Sequence, residues 1–248
     1  DNNIDYLNYF IIKGQIHNSI FEYDNAISNF KKVIKSNKKI EQAYVNLGAT
    51  YVNMDKSKEA IPYLKQAIEI NPLNAASYIN LGNAYHKTGD NKKALDAFNQ
   101  AEKLDPDIST ALSSKAAIQM KSGKKDSAML SLIESIQKDP YNGNAYINLG
   151  ILLREKNLSS EASNWVEKAI VILKSQPYKD KQLASAYAQL GYCYLDLKEY
   201  SKMQDSFEKA LKYNEDHIGV YGFLYYSKLF ISDWHELEIL KQNILVKI

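Results

Sequence analysis

The sequence is poor in the residues on which most site chemistry depends. Its single cysteine, Cys193, excludes an internal disulfide and a thiolate metal cluster, and leaves the redox compartment open. One arginine, Arg154, stands against 30 lysines, so bidentate capture of phosphate or carboxylate is not the main chemistry. Charge of one sign is missing too. With 31 basic and 29 acidic residues and no block of like charge, the formal +2 gives no phosphate-tracking face, and no nucleic-acid partner is expected. No apolar run reaches the roughly 18 residues that cross a bilayer, so no membrane span is expected. Asp1-Asn2-Asn3 lacks a signal pattern; a cytoplasmic setting is favoured, with a removed targeting or lipoprotein signal left open because the chain begins without Met. Ten glycines and five prolines are too few for a loop-rich β-sandwich.

What is present is repetition. Gly14, Gly48 and Gly82 lie 34 residues apart, and Ala26, Ala60, Ala94, Ala128 and Ala162 share that step, as do Pro72, Pro106 and Pro140. Ala43-Tyr44-Val45-Asn46-Leu47-Gly48 is echoed by Ser77-Tyr78-Ile79-Asn80-Leu81-Gly82 and by Ala145-Tyr146-Ile147-Asn148-Leu149-Gly150, and more weakly by Ala186-Tyr187-Ala188-Gln189-Leu190-Gly191. In each copy an aromatic, a leucine and the glycine fall at i, i+3 and i+4, with a second aromatic at i+7 in Tyr51, Tyr85 and Tyr194 and Leu153 in the remaining copy, one stripe of an α-helix. Glycine inside a helix costs roughly 1 kcal/mol against alanine. Its recurrence implies close approach of a partner helix, with Ala60, Ala94 or Ala162 as the small residues opposite. A second stripe, such as Ala60, Leu64 and Ala67, supplies that helix, and the prolines end it.

These residues resemble the tetratricopeptide repeat, a 34-residue helix-turn-helix unit, and the resemblance covers nearly the whole chain. It implies an all-α, right-handed α-solenoid of stacked antiparallel helix pairs. Over 1–248 the spacing sets a single solenoid with repeats at about 7–40, 41–74, 75–108, 109–142, 143–183 and 184–217 and a divergent terminal pair at 218–248. The fourth repeat departs from the pattern, with Lys115 for Leu, Ala116 for Gly and Gln119 for Tyr, and is the expected soft joint. The step from Gly150 to Gly191 is 41 residues, which puts an insertion near 170–183 and lengthens the second helix there. Leu237, Leu240, Ile244, Leu245 and Ile248 keep an apolar stripe to the end, so self-association through uncapped ends is a further expectation.

No catalytic motif is found. His235-Glu236 lacks the second histidine one turn later, the four histidines are scattered over different repeats, and Cys193 reads as an inert core thiol. No cofactor, metal or catalytic residue is expected, and the chain is read as not an enzyme. Asn157-Leu158-Ser159 is a formal glycosylation sequon with nothing else pointing to secretion.

The resemblance implies that first helices line a concave groove for a protein or peptide partner. Asn46, Asn80 and Asn148 occupy one column there, an amide ladder able to donate to and accept from a peptide backbone. Val45, Ile79 and Ile147 flank it as apolar anchors, and Asn83 and Arg154 complete the expected groove set. The carboxylate clamp of this family is not expected, because Val45 and Ile79 stand where its first lysine is required and Ala76 or Thr110 where its third helix needs lysine. Phe223, Tyr226 and Phe230 form a candidate docking patch. The expected function is an adaptor or scaffold. The alternative is the repeat domain of a larger protein, a glycosyltransferase-like enzyme or a lipid-anchored secretion or pilus assembly factor.

Overall fold

The computed structural model of the chain describes residues 2–177, 179–215 and 218–231, side chains included except at 2–4, 218 and 226–231. Among these are thirteen α-helices and no strand: α1 (Asn2–Ser19), α2 (Tyr23–Ser36), α3 (Glu41–Asn53), α4 (Ser57–Ile70), α5 (Ala75–Lys87), α6 (Asn91–Leu104), α7 (Ser109–Lys121), α8 (Lys125–Lys138), α9 (Gly143–Glu155), α10 (Ser159–Lys174), α11 (Asp180–Asp196), α12 (Tyr200–Tyr213) and α13 (Ile218–Ile231). The fold class is the expected one, a solenoid of stacked antiparallel helix pairs. The chain divides into two compact units, 1–122 and 123–248, with the division inside the fourth repeat between α7 and α8. Within each unit every helix packs on its neighbours in sequence, and first helices also touch the next first helix, α3 on α5 and α9 on α11.

Two kinds of turn make the hairpins. Each first helix ends in a residue of left-handed conformation, at Phe21, Asp55, Gly89, Gly123, Asn157 and Lys198. The next amide then reaches back over the helix end, as Lys56 N–H does to Tyr51 O at 2.9 Å and Asp90 N–H to Tyr85 O at 2.9 Å, which satisfies carbonyls the helix leaves open. Only two of the six positions are glycine. Phe21, at φ 64°, is the bulkiest occupant of a region that L-residues with large side chains avoid, at a cost of order 1–3 kcal/mol.

Second helices end differently. Asn37, Asn71, Asp105 and Asp139 are extended, and their side-chain oxygens accept the amide two residues on, at 2.9, 3.2, 3.1 and 2.9 Å. Pro72, Pro106 and Pro140 follow three of them and hold that residue out of the helical region. The seven-residue insertion is shared by the two helices it separates. α10 runs 16 residues against 14 in α2, α4, α6, α8 and α12, and α11 runs 17 against 13 in α3, α5, α7 and α9.

The glycine column is packed by large side chains rather than by small ones, a correction to the expectation from sequence. A Cβ on Gly14 would stand 2.5 Å from the Phe30 ring, on Gly48 2.5 Å from Leu64, on Gly82 2.5 Å from Phe98, on Gly150 2.4 Å from Val166 and on Gly191 2.4 Å from Phe207. The residue sixteen or so positions on, one turn past the expected alanine, is driven against the bare helix backbone. Phe30, Leu64, Phe98, Val166 and Phe207 are accordingly sealed from water. The alanines, Ala60, Ala94 and Ala162 among them, are equally buried on the same face.

Gly82→Ala is expected to lower stability by roughly 1–3 kcal/mol, the cost of overpacking a filled contact, although alanine is the better helix former. In a Phe98→Ala background that loss should shrink. Urea denaturation followed by circular dichroism measures both, and strictly additive effects would show that the glycine serves some other purpose.

Candidate functional site

In the first unit the side chains not used to close the hairpins fall along α3, α5 and α7. Asn46, Asn80 and Asn83 are half-exposed there, but their bonding differs. Asn46 Oδ1 accepts from Gln42 Nε2 at 3.2 Å on its own helix, and its Nδ2 is shielded from water without a partner. Asn80 Nδ2 donates to Ala76 O at 3.1 Å, and Asn83 Oδ1 accepts from Ser114 Oγ at 3.3 Å on the next first helix. The amides share a column in position, not in bonding. An unpaired buried donor is costly, about 1–3 kcal/mol, so Asn46 Nδ2 is the amide here with most to gain from an added acceptor.

Two expected apolar anchors are interior. Val45 packs with Tyr44 and Ala67 beside Ile34, Tyr63 and Ile70, and Ile147 joins the continuous core of the second unit with Val166 and Ile170. Their exposures of 5% and 4% leave no face for a partner. The reason is geometric: each first helix is covered both by its own second helix and by the neighbouring pair, so the buried arc extends one position beyond the aromatic stripe. Ile79 is half-buried against the cluster of Ala94, Phe98 and Ala101.

The second unit carries a contact chain across three first helices. Asn148 and Arg154 are half-exposed on α9. The Arg154 guanidinium lies over the Tyr192 ring of α11, 5.2 Å from its centroid, while its Nε donates to Asp196 Oδ2 at 2.9 Å. Asp196 also accepts from Ser159 Oγ at 3.0 Å. Tyr192 meets Phe223 of α13 edge-on at 5.1 Å, and both rings rest on Phe207, with Phe223 still 40% exposed. Burial raises the Tyr192 phenol above its ordinary pKa, with the Arg154 charge opposing. The side chains of Tyr226 and Phe230 lie outside the described residues, as do Leu237 to Ile248.

Sequence reading missed the polar contacts between repeats. The last turn of a first helix reaches back to the preceding hairpin turn: Lys87 pairs with Asp55 and donates to Val52 O at 3.1 Å, Glu155 pairs with Lys125 at 3.1 Å, and Lys156 pairs with Asp126 at 2.9 Å. Beside these contacts open two equivalent clefts. One, of about 490 Å³, is lined by residues 55–59 with Lys87 and Thr88; the other, of about 560 Å³, by Arg154, Glu155, residues 157–161, Asp196 and Leu197. The signal was there, as opposite charges some 30 residues apart at one position of the repeat. Among the described residues no group of three His, Cys, Asp or Glu is arranged to hold a metal ion, and no helix is long and apolar enough to cross a membrane.

Family models of the tetratricopeptide repeat match residues 39–107 and, with a second model, 7–40 and 184–217. The human Protein O-mannosyl-transferase TMTC3 is 29% identical over 111 residues, 44% of this chain; the chain spans 11% of that protein's length. The crystal structure of the APC/C hetero-tetramer Cut9-Hcn1 superposes with a TM-score of 0.79 at 19% identity, covering 86% of this chain and 41% of that one. Pseudomonas aeruginosa pilF gives 0.64 at 17% identity over 81% of this chain and 88% of its own. MamA gives 0.51 at 25% identity over 65% and 95%. The first two likenesses are of fold alone.

Cys193, 1% exposed on α11, has its thiol pushed up by burial from an ordinary 9.0 to about 11, with Arg154 drawing it back. The folded chain therefore holds this proton more tightly than the unfolded one. The stability it contributes is full below pH 9 and is lost as pH rises towards about 11. A disulfide reagent at pH 8 should leave the native chain unlabelled and react once denaturant is added; rapid native labelling would show the thiol to be accessible.

Proposed function

Since the chain belongs to the tetratricopeptide repeat family, we propose that it is an interaction scaffold whose first helices hold a protein partner, with Arg154, Tyr192 and Phe223 as the anchor in the second unit. The observation that carries this reading is the contact chain itself. A guanidinium stacked on a tyrosine, and that tyrosine braced by a half-exposed phenylalanine, is the residue chemistry that dominates binding energy at protein interfaces. Asn148 on α9 offers backbone-reading amide chemistry beside it, and Asn46, Asn80 and Asn83 do so in the first unit. The partner is a peptide or protein segment with an apolar or aromatic side chain for Phe223 and an acceptor or carboxylate within reach of Arg154. No chemistry on the partner is required of this chain in that role.

A second reading is favoured by the likeness to TMTC3: the chain is the repeat region of a longer transferase, and its groove positions the substrate protein of the rest. Reading the full coding sequence separates the two.

The test of the anchor begins with cross-linking capture to obtain a partner, followed by its purified affinity for three chains. The Arg154→Ala/Phe223→Ala variant should bind at least tenfold more weakly, a loss of about 1.4 kcal/mol or more. Val171→Asp, on the exposed side of α10 at 70% exposure, should bind as the native chain does. Unchanged affinity in the double variant, or loss only with Val171→Asp, would sink the anchor.

A further inference from the structure

Tyr6, Tyr9, Ile12, Ile16 and Ile20 stand 44–58% exposed at steps of three and four along α1 and its end, and Phe21 follows at 42%. This is not ordinary surface. Tyr9 occupies the repeat position held later by Ala43, Ser77, Ala111, Ala145 and Ala186, all of them 0% exposed. Ile16 occupies that of Thr50, Ala84, Ile118, Leu152 and Cys193, none above 2%. In every later repeat, therefore, these two columns are closed; on α1 the same two are open and larger. Two further departures lie at other columns of the same repeat. Ile12 stands where the later first helices carry Asn46, Asn80, Ser114, Asn148 and Gln189. Phe21 adopts the left-handed turn conformation filled elsewhere by Asp, Gly, Gly, Asn and Lys, so an aromatic ring is displayed at the expense of backbone strain.

We infer that this face is the contact of a symmetric dimer, in which α1 packs antiparallel on α1 of a second copy about an axis near Ile12. The size of Tyr9 argues for this occupant. The repeat-on-repeat contact admits only alanine or serine at that position, so another repeat docking in the same register has no room for a tyrosine. The order of the stripe is self-complementary: Tyr6 and Tyr9 lie towards one end, Ile16 and Ile20 towards the other, and a two-fold pairing lays the rings of each copy on the isoleucines of its partner. None of the six carries charge; the one cation on the stripe is Lys13, whose ammonium lies over the Tyr9 ring, 5.7 Å from its centroid, so that it is held on the ring of its own copy. The area is sufficient. Half-exposed residues of this size offer about 100 Å² each, hence roughly 600 Å² per copy, the upper end of what an ordinary monomer leaves bare, and ~1,200 Å² for the pair, the lower bound of specific interfaces.

Sedimentation equilibrium of the 248-residue chain, from micromolar to hundreds of micromolar, should report twice the chain mass. Ile12→Glu/Ile16→Glu should report a monomer with the helical signal and melting of the native fold, since both side chains are exposed in one copy. Ile12→Cys should oxidise to a covalent dimer, while Val171→Cys should not; the buried Cys193 takes no part in either. A native chain that stays monomeric overturns the pairing in favour of another occupant of the face. So does a mass that grows beyond two, the mark of head-to-tail assembly, and so does an Ile12→Cys chain that cross-links no better than Val171→Cys. The cysteine readout stands even where the glutamate variant fails to fold.

Discussion

A large second-helix side chain seated on a first-helix glycine is the contact from which the rest of each hairpin follows. With no Cβ at Gly48 or Gly82, Leu64 and Phe98 reach the backbone of the facing helix and fix both the separation of the pair and its rotation. Rotation is the consequential part. Once the glycine is turned inward, the residues at i−4, i−1 and i+3 are turned inward with it, and the tyrosine columns become packing rather than recognition. What this packing leaves half-exposed is the arc two positions before and one after, which is where Asn46, Asn80, Asn83 and Asn148 sit. The Gly150 hairpin meets the same demand with Val166, a smaller knob, and there a Cβ would also approach Ala162 O at 3.3 Å.

Turn chemistry then lets the hairpin repeat without repeating its sequence. The left-handed residue after the first helix is Phe, Asp, Gly, Gly, Asn and Lys in turn, yet the same backbone bond closes the helix from Glu22, Lys56, Asp90, Leu158 and Glu199. Because that bond is main chain to main chain, the side chain at the position is released for other uses: Asp55 takes the Lys87 ammonium, and Phe21 shows a ring to solvent. Charge at the neighbouring positions is also interchangeable, with a lysine reaching back in one repeat and a glutamate in another. Exposed pairs of this kind add little stability, of order 0–1 kcal/mol, but they discriminate which hairpin follows which.

Much of this was legible in the residues, and the failures have physical reasons. The 34-residue step, the helix ends before proline and the insertion near 170–183 were visible because each is a local preference written at a fixed interval. The partner of the glycine was misread as Ala60 or Ala94, since both alanine and the larger residue one turn later recur at the same step; only the helix crossing decides which of them reaches the backbone. Val45 and Ile147 face outward by the aromatic stripe alone, whereas two neighbours enclose each first helix and bury both. Ile79 in the same column is less enclosed, so the column itself does not fix exposure. The bonding of the amides was beyond sequence altogether: Asn46 and Asn80 look identical in the pattern, yet one leaves a buried donor unpaired and the other turns its amide to its own helix.

In a fold held by common columns, selectivity has to come from departures from them. Residues that satisfy a column are committed to packing, and a partner that read them would have to unpack the stack. Arg154 on α9 shows the point. Among 30 lysines it is the one side chain able to lay a planar cation on a ring and direct an N–H at a carboxylate at the same time, and it does both, to Tyr192 and Asp196. A lysine there would keep the charge and lose the fork. The first helix and the turn after it show the point again: Tyr9, Ile12 and Phe21 each break a column in the direction of larger apolar surface. Three columns broken in the same sense are what the proposed α1 contact rests on, since satisfying a column called for a small or polar residue at each.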